Sequence, residues 1–262
     1  DFRQAKNTGV WKEVKLDKDI PCTNNFKASQ GDGLKLAEQV GANIIDLDDI
    51  QLHPGGTPKT GIMSSWPSGR NRIFLTPQGD RFVNEDAARD TLCKAIFKEG
   101  GKYWIVSNHV KYPSLDYQSK NLTIGEMIKL GQAFSGNTVE ELASKTGMDP
   151  KKLKAAIQSY NDAVTGKVKE DSFGFKKSTK DDQPMTEGPY YATPMVPAVH
   201  HTMGGIQINT NAQVLDKNGK VIPGLFAAGE VTGGVHGSNR VGGNGIADAM
   251  VYGRISGQSA LK

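Results

Sequence analysis

From Thr123 to Thr165 the chain is written mostly in helix, while short apolar runs and glycine turns dominate on both sides. TIGEMIKLGQAF reads as one helix. TVEELASKTG opens on Thr138 with Glu141 three residues on, a capping box in which hydroxyl and carboxylate each take an orphan backbone N–H. Asp149-Pro150 starts the next helix, with a cap oxygen followed by a residue whose missing N–H costs nothing in the first turn. Leu153, Ala156, Ile157 and Tyr160 then share one face.

Upstream, QGDGLKLAEQVGANIIDLDDIQLHP predicts a glycine turn, a helix with Leu34, Ala37 and Val40 inward and Gly41 at its C-cap, then an extended run ending at His53-Pro54. GRNRIFLTPQGDRFVNE predicts a hairpin pairing Ile73–Leu75 with Arg81–Val83, DAARDTLCKAIFKEG a helix, and YWIVS a strand. Downstream, residues 166–190 read as a long surface loop. GIQINTNAQVLDKNGKVIPGLFAAGE returns to strands around an Asp216–Gly219 turn, and GNGIADAMVYGRISGQSA closes as a helix whose small residues suit close packing. The pattern is α+β, with a helical block interrupting a strand-rich frame.

Size and charge narrow the classes. The 262 residues fit one large domain or two smaller ones, and 31 glycines without a fixed period point to tight turns, not a fibre. The net charge of +4 is spread among interleaved acids and bases, which favours a small anion over nucleic acid as partner. The short lysine run at Lys176 and Lys177 reads as solvated loop. Cys22 and Cys93 lack metal spacing and read as two free thiols, which leaves the compartment open. No run approaches the roughly twenty apolar residues of a membrane span. The first residues, DFRQAKNTG, carry neither an initiator Met nor a signal-peptide core, as expected of the inside of a longer protein.

Two runs near the end place cations beside bare backbone: HHTMGG (200–205) and HGSNRVGGN (236–244). His200 and His201 are adjacent, so in an extended segment they point to opposite sides and one of them faces a given pocket. Arg240 is either a surface ion-pair partner or a planar clamp for a carboxylate. VIPGLFAAGE is a strand running into Glu230, a carboxylate placed to accept from a ribose hydroxyl, and GGNGIADA begins a helix whose free N–H groups can face an anion or an electron-rich ring; a glycine turn and a capped helix is the plainer reading of both. His53 is a loop imidazole suited to binding. A zinc site from His53, His201 and His236 lacks any short ligand spacing, so no metal is expected. Arg81, Glu85 and Arg89 at four-residue intervals read as an ion-pair ladder if helical, or place Arg89 as a proton donor in a dry site.

HHTMGGIQI, IPGLFAAGEVTGGVHGSNRVGGN and RFVNE followed by RD together resemble the flavoprotein subunits of fumarate reductase and succinate dehydrogenase, closest to the soluble fumarate reductases of flavocytochrome type and the urocanate reductases. The resemblance implies an FAD-binding domain in two segments, 1–47 and 202–262, flanking a helix-rich capping (clamp) domain, 48–201. It implies that Glu230 holds the FAD ribose. The turn Gly31, Asp32, Gly33 and the backbone of Gly204, Gly205, Gly243, Asn244, Gly245 and Ile246 would also serve FAD. His53, His201 and Arg240 would hold a substrate carboxylate, His201 being preferred over His200, and Arg89 would be the catalytic acid. Hydride from reduced FAD would go to one carbon of an activated double bond and a proton from Arg89 to the other, with His201 and Arg240 stabilising developing charge.

Two departures from the family pattern shape the expectation. No GxGxxG fingerprint of the family's N-terminal strand–turn–helix is present, which implies a partial FAD-binding domain lacking its Rossmann segment, with that segment of the same protein as a required partner and little activity without it. The family's Thr-Glu pair and relay arginine fall on Ser64, Ser65 and Ser68, with Arg70 or Arg72 as substitutes if the loop shifts. Serines bind a substrate oxygen but do not carry protons as a carboxylate does, so an α,β-unsaturated acid other than fumarate is open as substrate, with an electron-donor domain or protein as a further partner. The competing classes are oxidation in the succinate dehydrogenase or ketosteroid dehydrogenase manner and a non-catalytic binding module.

Overall fold

A computed structural model describes residues 20–23, 31–58, 60, 62–66, 70–176 and 182–261. Ser68, Lys177 and the start of the chain lie outside the described residues. The chain divides into two compact units, Pro54–Ala198 and the two flanking segments Asp1–His53 with Val199–Lys262. It crosses from one to the other within strands β2 (Ile50–Gly56) and β8 (Tyr190–Thr202).

The inserted unit is built on a five-stranded sheet in the order β2-β8-β4-β3, with β7 (Phe134–Gly136) also pairing β8. Here β3 is Ile73–Leu75 and β4 is Tyr103–Asn108. β4 runs antiparallel to both β3 (Phe74 opposite Ile105) and β8 (Ile105 opposite Thr193). Helices α4 (Val139–Thr146) and α5 (Pro150–Val164) cover one core, where Leu142, Leu153 and Tyr160 are fully buried against Ile73, Leu75 and Val106. A second core gathers Trp66, Phe74, Tyr103, Tyr112 and Tyr191 with α2 (Arg89–Lys98) and α3 (Ile124–Lys129). Trp66 meets Tyr112 edge to face at 5.0 Å, the arrangement the ring quadrupoles favour.

The caps account for the helix starts. Asp149 Oδ1 accepts from the N–H groups of Lys151 (2.7 Å) and Lys152 (3.3 Å). Thr138 accepts from Glu141 N at 3.1 Å, but the Glu141 carboxylate takes the N–H of Asn137, so that box is open on one side. The closed box is at Thr123 and Glu126, at the start of the helix expected over TIGEMIKLGQAF. That helix stops at Lys129, and Gly131 (φ +67°) turns the chain into β7.

Several expectations are corrected. Arg81–Val83 is not a strand; only Arg81 bridges Leu75, and β3 takes β4 as its partner instead. The helix expected from Asp86 begins at Arg89, so Arg81, Glu85 and Arg89 form no helical ladder. Arg81 and Glu85 do pair (Nη2–Oε2 2.7 Å), but the second carboxylate on Arg81 is Asp171. Burial works against the Arg81 charge, yet Glu85 and Asp171 outweigh it and hold its pKa above the ordinary value. Residues 166–190 are not all surface, since Phe175, Asp182 and Met185 are buried. His53 does not end its extended run, which continues to Gly56.

In the flanking unit, α1 (Asp32–Gln39) packs Ala37 against Ala42, Ile206 and Val214. Val40, expected inward, is exposed, and Gly41 follows at φ +85°, the left-handed turn its position predicted. β1 (Ile44–Ile45) pairs β9 (Gly205–Ile206), and β10 (Gln213–Leu215) pairs β11 (Val221–Phe226) around the Asp216–Gly219 turn. α6 (Asn244–Ala260) packs closely through the small residues of its N-terminal half, where Gly245 faces His201 and Ala249 stands against Gly229, whereas an added Cβ at Gly253 or Gly257 would meet nothing within 4 Å. Both cysteines are free, Cys93 buried and Cys22 partly so. No helix among the described residues is long and apolar enough to cross a membrane.

Candidate active site

The two polar-glycine runs meet within the flanking unit. Extended β8 alternates its side chains, so His200 and His201 part company as expected. The imidazole set beside His53 is that of His200, their ring centroids 5.1 Å apart, and Thr23 Oγ1 lies 2.8 Å from His200 Nδ1.

His201 is buried on the other face, edge-on to His236 at 5.6 Å, with its Nε2 3.8 Å from Glu230 Oε2. Neither of its ring nitrogens has a hydrogen-bond partner among the described residues. Burial lowers its pKa; Glu230 pulls the other way, and Arg240 and His236 add to the lowering. His201 is therefore a neutral imidazole near pH 7. Asp248, from the second turn of α6, places Oδ2 3.3 Å from His236 Nε2.

Arg240 is 7% exposed, not a surface residue. Its Nη1 donates to Val241 O at 3.2 Å, and its Nε is buried without a partner among the described residues. No carboxylate among the described residues pairs with it. Gly245 is what lets these groups approach: a Cβ there would stand 3.3 Å from His201 Nε2 and 3.6 Å from Arg240 Cζ. Gly204 and Gly205 are fixed by packing, with their missing Cβ positions 2.2 Å from Asp46 O and 2.3 Å from Val231 O. Gly243, at φ +89°, has open space where its side chain would be, and Ile246 one residue past Gly245 is 75% exposed. Gly31 caps α1 in the left-handed region, Asp32 is its first residue, and Gly33 faces Val231. Glu230, half exposed, accepts from Thr202 N at 2.9 Å. No group of three or more His, Cys, Asp or Glu among the described residues could hold a metal, so the three-histidine zinc set is not assembled.

Within the inserted unit, Ser64 is buried. Its Oγ accepts from Trp66 N at 3.1 Å, and its carbonyl accepts from Lys120 Nζ. Ser65 is partly buried next to it. Arg70 is held by Asp182 and Asp86, and Arg72 lies over the Phe74 ring at 5.1 Å. Arg89 is the partly buried first residue of α2.

Residues 12–246 match the family model of the FAD binding domain, and the chain belongs to that family. It is 40% identical to an NADH:acrylate oxidoreductase of Vibrio harveyi, over 97% of this chain and 25% of that protein. It is 41% identical to a probable fumarate reductase of Shewanella frigidimarina, over 94% of this chain and 40% of that one. Its fold is shared with the open conformation of a flavocytochrome c3 fumarate reductase, at a TM-score of 0.65 and 39% identity, covering 93% of this chain and 42% of that structure. The chain thus spans less than half the length of each of these three proteins.

Proposed function

We propose that this chain is part of an FAD-dependent reductase that saturates the carbon–carbon double bond of an unsaturated carboxylic acid of the acrylate–fumarate class. Arg240 carries the reading: a buried guanidinium with an unpartnered Nε and no pairing carboxylate among the described residues is suited to hold an anion. The neutral His201 near it can donate its one ring N–H to a carboxylate oxygen. The relatives named for acrylate and fumarate chemistry support the substrate class.

On this reading the expected capping domain, 48–201, corresponds to the compact unit 54–198, and the flanking segments are a partial FAD-binding domain completed by a further nucleotide-binding segment of the same protein. Exposed apolar side chains on and before α6, Val241 and Met250 among them, and Leu36 on α1 favour such a covering segment. The missing side chains of Gly243 and Gly245 and the acceptor capacity left on Glu230 beyond its bond from Thr202 N support an FAD ring and ribose at this place. Gly31, Asp32, Gly33, Gly204 and Gly205 would shape the surrounding backbone. Bound FAD supplies two-electron hydride chemistry.

What the chain does is hold and protonate. Arg240 grips one carboxylate oxygen, with His53 and His201 as the imidazoles for the rest of the acid and His200, on the opposite face of β8 from His201, packed beside the His53 ring. Charge developing towards that carboxylate is stabilised by groups already in place. Arg89 gives the proton to the carbon that does not take the hydride, and Ser64 and Ser65 line the substrate. Because Ser64 and Ser65 replace the family's Thr-Glu pair, a monocarboxylic acid is as open as fumarate. An electron donor, as a domain or a separate protein, reduces the flavin.

The test is steady-state reduction of fumarate, acrylate and urocanate by the whole protein loaded with FAD and a chemical electron donor. Turnover of at least one acid, lost in Arg89→Gln with flavin retained, is the expected result. No turnover of any acid ends the reductase proposal, and undiminished turnover in Arg89→Gln removes Arg89 from the acid role.

A further inference from the structure

We infer that Gln51 is a positioning residue that sets the reach of Arg240 and couples it to His53; this rests on the reading that Arg240 holds the substrate carboxylate. Gln51 and His53 are two apart on β2, so their side chains leave the same face of the strand. Gln51 is 2% exposed. Its amide nitrogen donates to the Arg240 carbonyl at 2.8 Å and to Asn239 Oδ1 at 3.3 Å. One side chain therefore fixes the backbone of Arg240 relative to the strand that presents His53.

This tie matters because Arg240 is held by little else. Its side chain has one hydrogen bond, to the neighbouring Val241 carbonyl, and its Nε is unpartnered among the described residues. A guanidinium clamp loses its two-point geometry when its base shifts by a fraction of an ångström. Both Gln51 donors go to the Asn239–Arg240 segment, while its Oε1 is buried with no partner among the described residues. A buried amide that leaves its own acceptor unsatisfied is poorly explained as packing alone, since an apolar side chain of the same size would avoid that cost.

The test uses Gln51→Met, which keeps the volume and removes both donors, in the whole protein with FAD bound. KM for whichever of fumarate, acrylate or urocanate is turned over should rise about tenfold, the rough equivalent of one buried neutral hydrogen bond, with kcat nearly unchanged. In an Arg240→Met background the same substitution should add nothing, because there is no guanidinium left to aim. A purely structural glutamine would instead lower the melting temperature and flavin content and add the same loss in both backgrounds. An unchanged KM, or equal losses in both backgrounds, overturns the positioning role while leaving the reductase reading intact. If the unsubstituted protein reduces none of the acids, the reductase reading fails and the inference falls with it. Should Gln51→Met fail to hold FAD, Gln51→Leu, which also removes both donors, is read by the same criteria.

Discussion

Replacing Gly245 by alanine should separate stability from anion binding. Gly245 lies in the first turn of α6, where alanine is the better helix former by up to about 1 kcal/mol and somewhat less near an end. Against that gain, the new methyl would stand 3.3 Å from His201 Nε2, 3.5 Å from its Cδ2 and 3.6 Å from Arg240 Cζ. The last two are ordinary contacts; the first asks the imidazole to yield by a few tenths of an ångström, which a ring without hydrogen-bond partners among the described residues can do at little cost. The two effects nearly cancel, so stability should change by less than about 1 kcal/mol and the melting temperature by at most about 2–4 °C. Binding should not be spared, because the methyl occupies the gap between imidazole and guanidinium that a carboxylate would use. A loss of at least tenfold, about 1.4 kcal/mol, is expected. Calorimetric titration of the whole protein with the saturated product acid, beside a thermal melt, measures both. Unchanged affinity would show that the anion does not enter there, and a melting temperature lowered by much more than about 4 °C would refute the estimate of crowding.

Leu153→Ala removes a fully buried side chain from the α5 core and should cost about 2–5 kcal/mol in urea unfolding, whereas a loss under about 1 kcal/mol would contradict the packing. Gly205→Ala puts a Cβ 2.3 Å from Val231 O and should abolish soluble folded protein, while Gly219→Ala, at φ +75° with open space around it, should cost only about 1–2 kcal/mol; expression yield and melting temperature distinguish them. His201 has a folded pKa lowered by burial, so below its ordinary value near 6.5 the unfolded chain takes up a proton that the folded one refuses. Stability should therefore fall as pH drops from 7.5 towards 5, and His201→Gln should flatten that slope; parallel slopes in denaturant titrations would contradict it.

Local chemistry was readable wherever it decided the outcome. Asp149-Pro150 opens a helix because cap oxygen and missing N–H act within four residues, and the Leu153–Tyr160 face is buried as its spacing requires. Turns around Gly41 and Asp216–Gly219 follow for the same reason. What depended on distant partners was not readable. Arg81–Val83 had strand character, but β3 found a better partner thirty residues on, and the polar stretch after Val164 hides Asp171 and Asp182, whose places are set by Arg81 and Arg70. In the candidate site, the two polar-glycine runs could be picked out as places where cations meet bare backbone, and they do come together around His201, His236, Arg240 and Gly245. The pairing of His53 with His200 and the grip of Gln51 on Arg240 were not legible, since each joins segments more than 140 positions apart.

The most direct measurement is a single turnover: the whole protein with reduced FAD is mixed anaerobically with fumarate, acrylate or urocanate, and flavin absorbance is followed while the product is analysed. Flavin reoxidised in step with one equivalent of saturated acid, and reoxidised far more slowly in Arg240→Met at the same acid concentration, is the predicted result. Flavin that stays reduced with every acid, or that reoxidises equally well in Arg240→Met, would contradict the account.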